Sequence, residues 1–142
     1  MKMIRLLILV TVGVGLALPV RASSSFDGEW QVNLHTPEYK DPTGVVAQAY
    51  TFDFPAEVKD GLLHGERGTR GQPAWLQIEG RIEANGDAML HVNGITGRRE
   101  YNLGHVRTGL PYEYDVKAHF TSTEGKGSRV GGRLGFYTFT KR

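Results

Sequence analysis

Histidines, serines and carboxylates are the residues of this chain whose chemistry could support metal binding or catalysis. His91 and His105 lie at equal distances from Arg98, so a hairpin turn there would place the two rings opposite each other on adjacent strands. Two histidines and a carboxylate can bind zinc. No third ligand has a matching position, and the other three histidines fall at strand ends or on polar faces. We therefore predict scattered surface histidines, with no metal and no other cofactor.

Nucleophilic and acid–base catalysis have little support in the sequence. After residue 25 the only serines are Ser122 and Ser128, and no Gly-x-Ser-x-Gly motif is present. The chain has no cysteine, which excludes thiol catalysis and a disulfide. Acidic residues alternate with apolar ones in the predicted strands, which places them on the solvent face, where their pKa is not raised. The sequence thus predicts a protein that is not an enzyme.

Aromatic residues are the remaining candidates for a functional site. Trp30, Tyr50, Tyr112 and Tyr114 lie on apolar faces of predicted strands. If these strands close into a small barrel, its interior is either filled by side chains or holds one small ligand. Tyrosine hydroxyls would supply the few polar contacts that such a cavity needs. We predict that these four residues line a ligand site, with a packed core as the alternative.

Short segments with alternating apolar and polar residues must position these aromatics. The clearest is 112–120, where tyrosine, valine, alanine and phenylalanine alternate with charged residues or histidine, as in a half-buried strand. Asp60-Gly61 and Asn85-Gly86 are typical of tight hairpin turns. Further turns are predicted at 97–98, 108–111 and 125–127, and a longer loop at 36–44. The predicted strands are 28–35, 45–55, 57–60 continuing into 62–68, 74–83, 87–95, 99–107, 112–122 and 128–141.

The number of predicted strands and their short connections indicate the fold class. Short connections make sequential strands antiparallel neighbours. A meander of about eight strands commonly removes its sheet edges by closing into a barrel. We therefore predict an all-β protein in which residues 23–142 form a single, small up-and-down β-barrel domain.

Residues 1–22 have the pattern of a signal peptide. Lys2 and Arg5 precede an apolar run of 13 residues, 6–18, and Ala22 follows at a small-residue cleavage site. The run is shorter than the roughly 20 apolar residues of a membrane-spanning helix. We expect cleavage after Ala22, no stable membrane span in the mature chain, and a periplasmic or secreted protein.

Removal of the signal peptide changes the charge of the chain. Without Lys2, Arg5 and Arg21, the 17 basic residues fall to 14 against 15 acidic ones, so the mature net charge is −1. A near-neutral protein lacks the basic face that drives nucleic-acid binding. The Arg- and Gly-rich segment 65–71 lies between predicted strands and is expected to form a twisted hairpin end. Nucleic acid is therefore not an expected partner.

Two resemblances support this interpretation. Residues 26–30 (FDGEW) contain the Gly-x-Trp motif of the first strand of calycin-type barrels, which include lipocalins and avidins. That resemblance implies that Trp30 plugs one end of the barrel and that Lys141 or Arg142 lies near it. Segments 26–32, 58–68 and 137–141 also resemble a family of small uncharacterised exported proteins of α-proteobacteria. This second resemblance implies export and a barrel, and no activity.

Three functional hypotheses remain open from the sequence. The first is an exported non-enzymatic barrel that binds a small apolar or aromatic ligand at its mouth. The second is a periplasmic interaction module, such as a lysozyme or protease inhibitor, that contacts an envelope protein through loops 36–44 and 69–73. The third, an outer-membrane barrel, fits the strand number but places charged residues on the outer face.

Overall fold

The computed structural model describes residues 24–142, and the predicted signal peptide at 1–22 lies outside them. The described residues form ten β-strands and two single-turn 3₁₀ helices at Arg99–Tyr101 and Leu103–His105. No helix among these residues has the length and apolar character needed to cross a membrane. The strands are β1 Gly28–Thr36, β2 Tyr39–Lys40, β3 Val46–Ala47, β4 Tyr50–Lys59, β5 Leu62–Arg67, β6 Leu76–Arg81, β7 Asp87–Ile95, β8 Pro111–Phe120, β9 Glu124–Arg129 and β10 Phe136–Lys141.

Eight of the strands close into an antiparallel barrel in the order β1-β4-β5-β6-β7-β8-β9-β10, with β10 returning to β1. Each strand therefore pairs with the next barrel strand along the chain, which confirms the predicted up-and-down barrel. The remaining strands, β2 and β3, pair with each other in the connection between β1 and β4. The first of the tight turns is as predicted, since Asp60 and Gly61 have φ values of 53° and 78°.

The two ends of the barrel differ in construction. At the closed end lie the N-terminal segment 24–27 and the short turns at 60–61, 82–86 and 121–123. At the open end lie the longer loops 37–49, 68–75, 96–110 and 130–135. Strand alternation directs every second residue inward, and the inward residues of the closed half are almost all apolar.

Trp30 fills the closed end of the barrel. Its side chain has no exposed surface, and its Nε1 donates a hydrogen bond of 2.8 Å to the Phe26 carbonyl. The ring of Phe120 packs edge-on against it with 5.6 Å between ring centroids. The Nζ of Lys141, paired with Trp30 across β1 and β10, lies 6.0 Å from the Trp30 ring. The closed end of the barrel is therefore filled by packed aromatic rings, with the Lys141 ammonium group near the Trp30 ring.

Two predicted strands are wrong, although the number of barrel strands is right. The predicted strand 99–107 is part of the loop 96–110, and 128–141 is two strands joined by the turn 130–135. The predicted turn at 125–127 lies inside β9. A Cβ at Gly125 would stand 2.6 Å from the Phe120 ring, so this strand carries glycine because a bulky aromatic occupies the space above it.

The arrangement in which His91 and His105 would face each other, considered from the sequence and not adopted, does not form, because no hairpin turns at Arg98. His91 lies on the outer face of β7 and contacts Asp115 at 2.8 Å. His105 lies in the loop 96–110, where its Nε2 contacts the Val46 carbonyl at 2.6 Å. Within residues 24–142, no three metal-ligating side chains are grouped to hold an ion.

Candidate functional site

A cavity of about 410 Å³ occupies the open end of the barrel. Its walls come from β4, the tops of β5, β7 and β8, and the loop 96–110 that crosses the mouth. A second space of about 170 Å³ adjoins it towards β9. The two share the side chains of Tyr50, Tyr101 and Tyr112, so they form one aromatic chamber with two compartments. We call this chamber the mouth cavity.

Strand alternation explains why tyrosines line the mouth cavity. On β8, the inward positions run from Phe120 at the closed end through Val116 to Tyr114 and Tyr112 at the open end. Gly94 is the β7 partner of Tyr112, and a Cβ at Gly94 would stand only 2.3 Å from that tyrosine. The missing side chain at Gly94 thus allows the Tyr112 ring to lie over this residue of β7, 6.0 Å from the parallel ring of Tyr114.

The tyrosine hydroxyls differ in their partners. The hydroxyls of Tyr114 and Tyr137 are hydrogen-bonded to each other. The hydroxyls of Tyr50 and Tyr112 make no hydrogen bond to any residue of the range 24–142, although both side chains line the cavity. Burial raises the pKa of Tyr114 to about 12 and raises the pKa of Tyr112 and Tyr137 as well. These hydroxyls are therefore protonated at neutral pH and able to donate.

Two arginines occupy inward positions at the open ends of β5 and β9, strands on opposite sides of the barrel. The guanidinium of Arg67 lies 3.8 Å from the centre of the Phe52 ring, and its Nη1 donates a 2.6 Å bond to the Ala74 carbonyl. The guanidinium of Arg129 lies 4.2 Å from the centre of the Tyr114 ring. The guanidinium of Arg129 has no hydrogen bond to the residues described, and its Nε is buried without a partner.

A third arginine, Arg133, fastens the loops around the mouth. It is 8% exposed and donates hydrogen bonds of 2.6, 3.1 and 2.8 Å to the carbonyls of Tyr101, Pro37 and Gln48. Those acceptors belong to two separate loops, 37–49 and 96–110. Burial lowers the pKa of Arg133, but an arginine remains charged at neutral pH. Its role is explained by these backbone contacts.

The charge of the mouth cavity is one-sided. Its lining includes Arg67, Arg98, Arg129 and Arg133 but no aspartate or glutamate. Among residues 24–142, none of these four arginines takes part in an ion pair; the pairs that form involve other side chains, such as Arg70 with Glu66 and His91 with Asp115. A low-dielectric wall strengthens the field of such charges. The cavity is therefore aromatic and electropositive.

The structure brings together three of the four residues predicted to line a ligand site. Tyr50, Tyr112 and Tyr114 all face the mouth cavity. Trp30 lies at the opposite, closed end and has no exposed surface, so it does not share the cavity with them. The correction has a simple cause, since Trp30 is near the start of β1 whereas Tyr112 and Tyr114 are near the start of an antiparallel strand at the other end.

Sequence reasoning did not place the arginines in the lining of the cavity. The alternation Leu63-x-Gly65-x-Arg67 places Arg67 on the same face as a core leucine, and that signal was present in the sequence. Arg129 lies on a glycine-rich strand with little apolar alternation to reveal its orientation. Comparisons with protein-family models, curated proteins and solved structures find no match for this chain. A functional assignment consequently depends on the side chains of the mouth cavity.

Proposed function

We propose that this chain is an exported, non-enzymatic β-barrel protein of the periplasm or extracellular medium that binds one small apolar or aromatic molecule in the mouth cavity. The observation that carries the proposal is an aromatic cavity of about 410 Å³ at one end of a barrel whose other end is fully packed. Small-molecule sites have volumes of about 300–1,000 Å³ and apolar walls with few polar groups. The unbonded hydroxyls of Tyr50 and Tyr112 supply such groups.

The chemistry of the lining supports binding over catalysis. The polar residues that line the cavity are four tyrosines, four arginines, two threonines and an asparagine. A general base needs a pKa near the working pH. Tyr114 is far from that range because burial raises its pKa to about 12. The polar groups of this lining are therefore suited to donating hydrogen bonds to a ligand.

Binding of the neutral fluorescent probe N-phenyl-1-naphthylamine tests the proposal. We expect saturable fluorescence enhancement with one site per chain. Ala49 lines the cavity, so Ala49→Trp should fill the space and abolish the saturable signal. Met89→Trp adds the same side chain on the outer face of β7, where Met89 is 57% exposed, and should leave binding intact. Equal probe affinity in both variants, or no saturation of the fluorescence with the unchanged protein, would contradict a ligand site in the mouth cavity.

The loops around the open end favour a second candidate function, binding of an envelope protein. Large apolar side chains are exposed there, and exposed apolar groups on one face indicate interaction surfaces. They are Tyr39, Leu103, Val106, Val130, Leu134 and Phe136. Capture of a specific protein from envelope extract, lost in Leu134→Ser, would support this candidate. Recovery of no specific protein, together with no inhibition of lysozyme, would remove it.

A further inference from the structure

The four arginines of the mouth cavity are arranged differently. Arg98 is exposed in the loop 96–110, whereas Arg67 and Arg129 lie within 4.2 Å of the centre of an aromatic ring. Arg133 uses its guanidinium to hold backbone carbonyls of two loops. Arg67 uses Nη1 for the Ala74 carbonyl. The guanidinium of Arg129 makes no hydrogen bond within residues 24–142 and lies 4.2 Å from the centre of the Tyr114 ring. Packing against the loops therefore explains Arg133 but does not explain why β9 carries a cation inside the barrel.

We propose that the ligand of the mouth cavity is an anionic amphiphile, whose carboxylate, sulfonate or phosphate head is bound by Arg129 and Arg67 while its apolar body lies among the tyrosines. This inference rests on the proposed function and deepens it by naming the ligand class. The head would accept hydrogen bonds from guanidinium N–H groups and from the hydroxyls of Tyr50 and Tyr112. The body would fill the larger compartment, which is lined by Phe52 and Tyr101.

Stacking on an aromatic ring leaves a guanidinium well placed for this task. The ring covers one face of the planar group, while the N–H donors point outward in its plane and match two oxygens of an anion. Arg129 lies 4.2 Å from the centre of the Tyr114 ring and Arg67 lies 3.8 Å from the centre of the Phe52 ring, within the range of such contacts. A charge inside a barrel is unfavourable without a partner, and no acidic side chain of the lining supplies one. An anionic head would supply that partner.

Tyr112 is common to the compartments that the two arginines line. Arg67 lines the larger compartment, Arg129 lines the smaller one, and Tyr112 lines both, although the strands of the arginines lie on opposite sides of the barrel. Burial raises the pKa of Tyr112. Because Tyr112 stays protonated, its hydroxyl would donate to the head and not repel it.

A matched pair of probes tests this inference. N-phenyl-1-naphthylamine is neutral, and 1-anilinonaphthalene-8-sulfonate has the same ring system with an added sulfonate. The protein and the variants Arg129→Gln, Arg67→Gln and Arg81→Gln are titrated with both probes. Arg81 is an exposed residue of β6 near the closed end, so its variant removes the same charge away from the cavity.

We expect Arg129→Gln and Arg67→Gln each to weaken binding of the sulfonate probe about tenfold, as for a charge-assisted hydrogen bond. Binding of the neutral probe should change less than about twofold, and Arg81→Gln should change neither. If Arg129→Gln does not fold, Arg67→Gln decides alone. Arg129→Lys, which keeps the charge without the planar fork, should restore part of the lost affinity.

Three results would overturn the inference. Equal losses for both probes would mean that the arginines only shape the cavity. An equal loss in Arg81→Gln would mean that net charge alone attracts the sulfonate. Binding of inorganic phosphate as tight as that of the sulfonate probe would identify a site for small free anions without an apolar body. Each of these leaves binding of the neutral probe to the unchanged protein intact, whereas failure of the neutral probe with the unchanged protein overturns the proposed function itself.

Discussion

The closed and open halves of the barrel are built from the same strands but packed in opposite ways. At the closed end, Trp30, Phe120 and Phe139 interlock with essentially no exposed surface. At the open end, tyrosines and arginines surround an unfilled space of about 410 Å³. One half therefore meets the packing density of a protein interior, and the other does not.

The change from one half to the other occurs along single strands. Inward positions of β8 pass from Phe120 through Ala118 and Val116 to Tyr114 and Tyr112. Inward positions of β9 pass from two glycines to Arg129. The backbone ladder is continuous across both halves. A barrel can thus keep its stability in one half and place a polar site in the other by changing only its inward residues.

The largest expected effect of this division is on stability. Trp30→Ala should lower the free energy of unfolding by about 3–5 kcal/mol, because it removes a fully buried indole and leaves a cavity. Tyr112→Ala should lower it by less than about 2 kcal/mol, because that ring already borders an open space. Urea unfolding followed by circular dichroism measures both values.

In a binding assay, the Tyr112→Ala variant should lose more probe affinity than the Trp30→Ala variant. Tyr112→Ala removes part of the cavity wall and should weaken the neutral probe, while folded Trp30→Ala should bind it normally. Equal losses of stability in the two variants would contradict the division of the barrel into a packed half and a binding half.

A second pair of substitutions compares the two halves at their glycines. A Cβ at Gly125 would stand 2.6 Å from the Phe120 ring, and one at Gly94 would stand 2.3 Å from Tyr112. Phe120 is held on all sides, so Gly125→Ala should lower the free energy of unfolding by about 1–3 kcal/mol through overpacking. Tyr112 can move into the cavity, so Gly94→Ala should cost less stability and alter probe binding instead. Thermal unfolding and probe titration separate these outcomes.

A larger loss of stability in Gly94→Ala than in Gly125→Ala would mean that Tyr112 is held as firmly as Phe120. The mouth cavity would then be a rigid chamber, and a ligand would have to fit it without movement of that ring.

The sequence predicted the barrel better than it predicted the site. Alternation on β8 and the Asp60-Gly61 turn are local signals, and both correspond to the structure. The prediction failed where glycine has a packing role, as in β9, because glycine on an inward face resembles a turn when only the sequence is read. It also failed at 99–107, where short apolar alternation lies in a loop.

The candidate site residues were likewise predicted correctly only where a local sequence signal was present. Tyr50, Tyr112 and Tyr114 were found because tyrosine on an apolar face is a recognisable signal. Trp30 was misplaced because alternation gives the face of a strand and not the height along the barrel. Arg129 was missed because an arginine among glycines and charged residues is typical of a solvent-facing side chain. Only the closed barrel shows that it points inward.

The smallest expected effect compares the two ends by their response to pH. At the closed end, the Asp27 carboxylate accepts a hydrogen bond from the Ser24 hydroxyl and bonds of 2.9 and 3.1 Å from the N–H groups of Asp60 and Gly61. The Ser24 hydroxyl, followed by these N–H groups, lowers the pKa of Asp27 below its usual 3.8. This contribution to stability is present above pH 3.8 and is lost as the pH falls through the lowered pKa.

Asp27→Asn should therefore reduce the acid dependence of thermal unfolding below about pH 4, with little change near neutrality beyond a constant offset. Probe binding at the open end should stay level from about pH 5 to about pH 9, because arginine keeps its charge and burial keeps Tyr112 and Tyr114 protonated over that range. A change of probe affinity with pH inside that range would indicate a carboxylate or histidine in contact with the head group. An unchanged acid dependence in Asp27→Asn would assign acid unfolding to other carboxylates. It would contradict a contribution of Asp27 at the closed end to the pH dependence of stability.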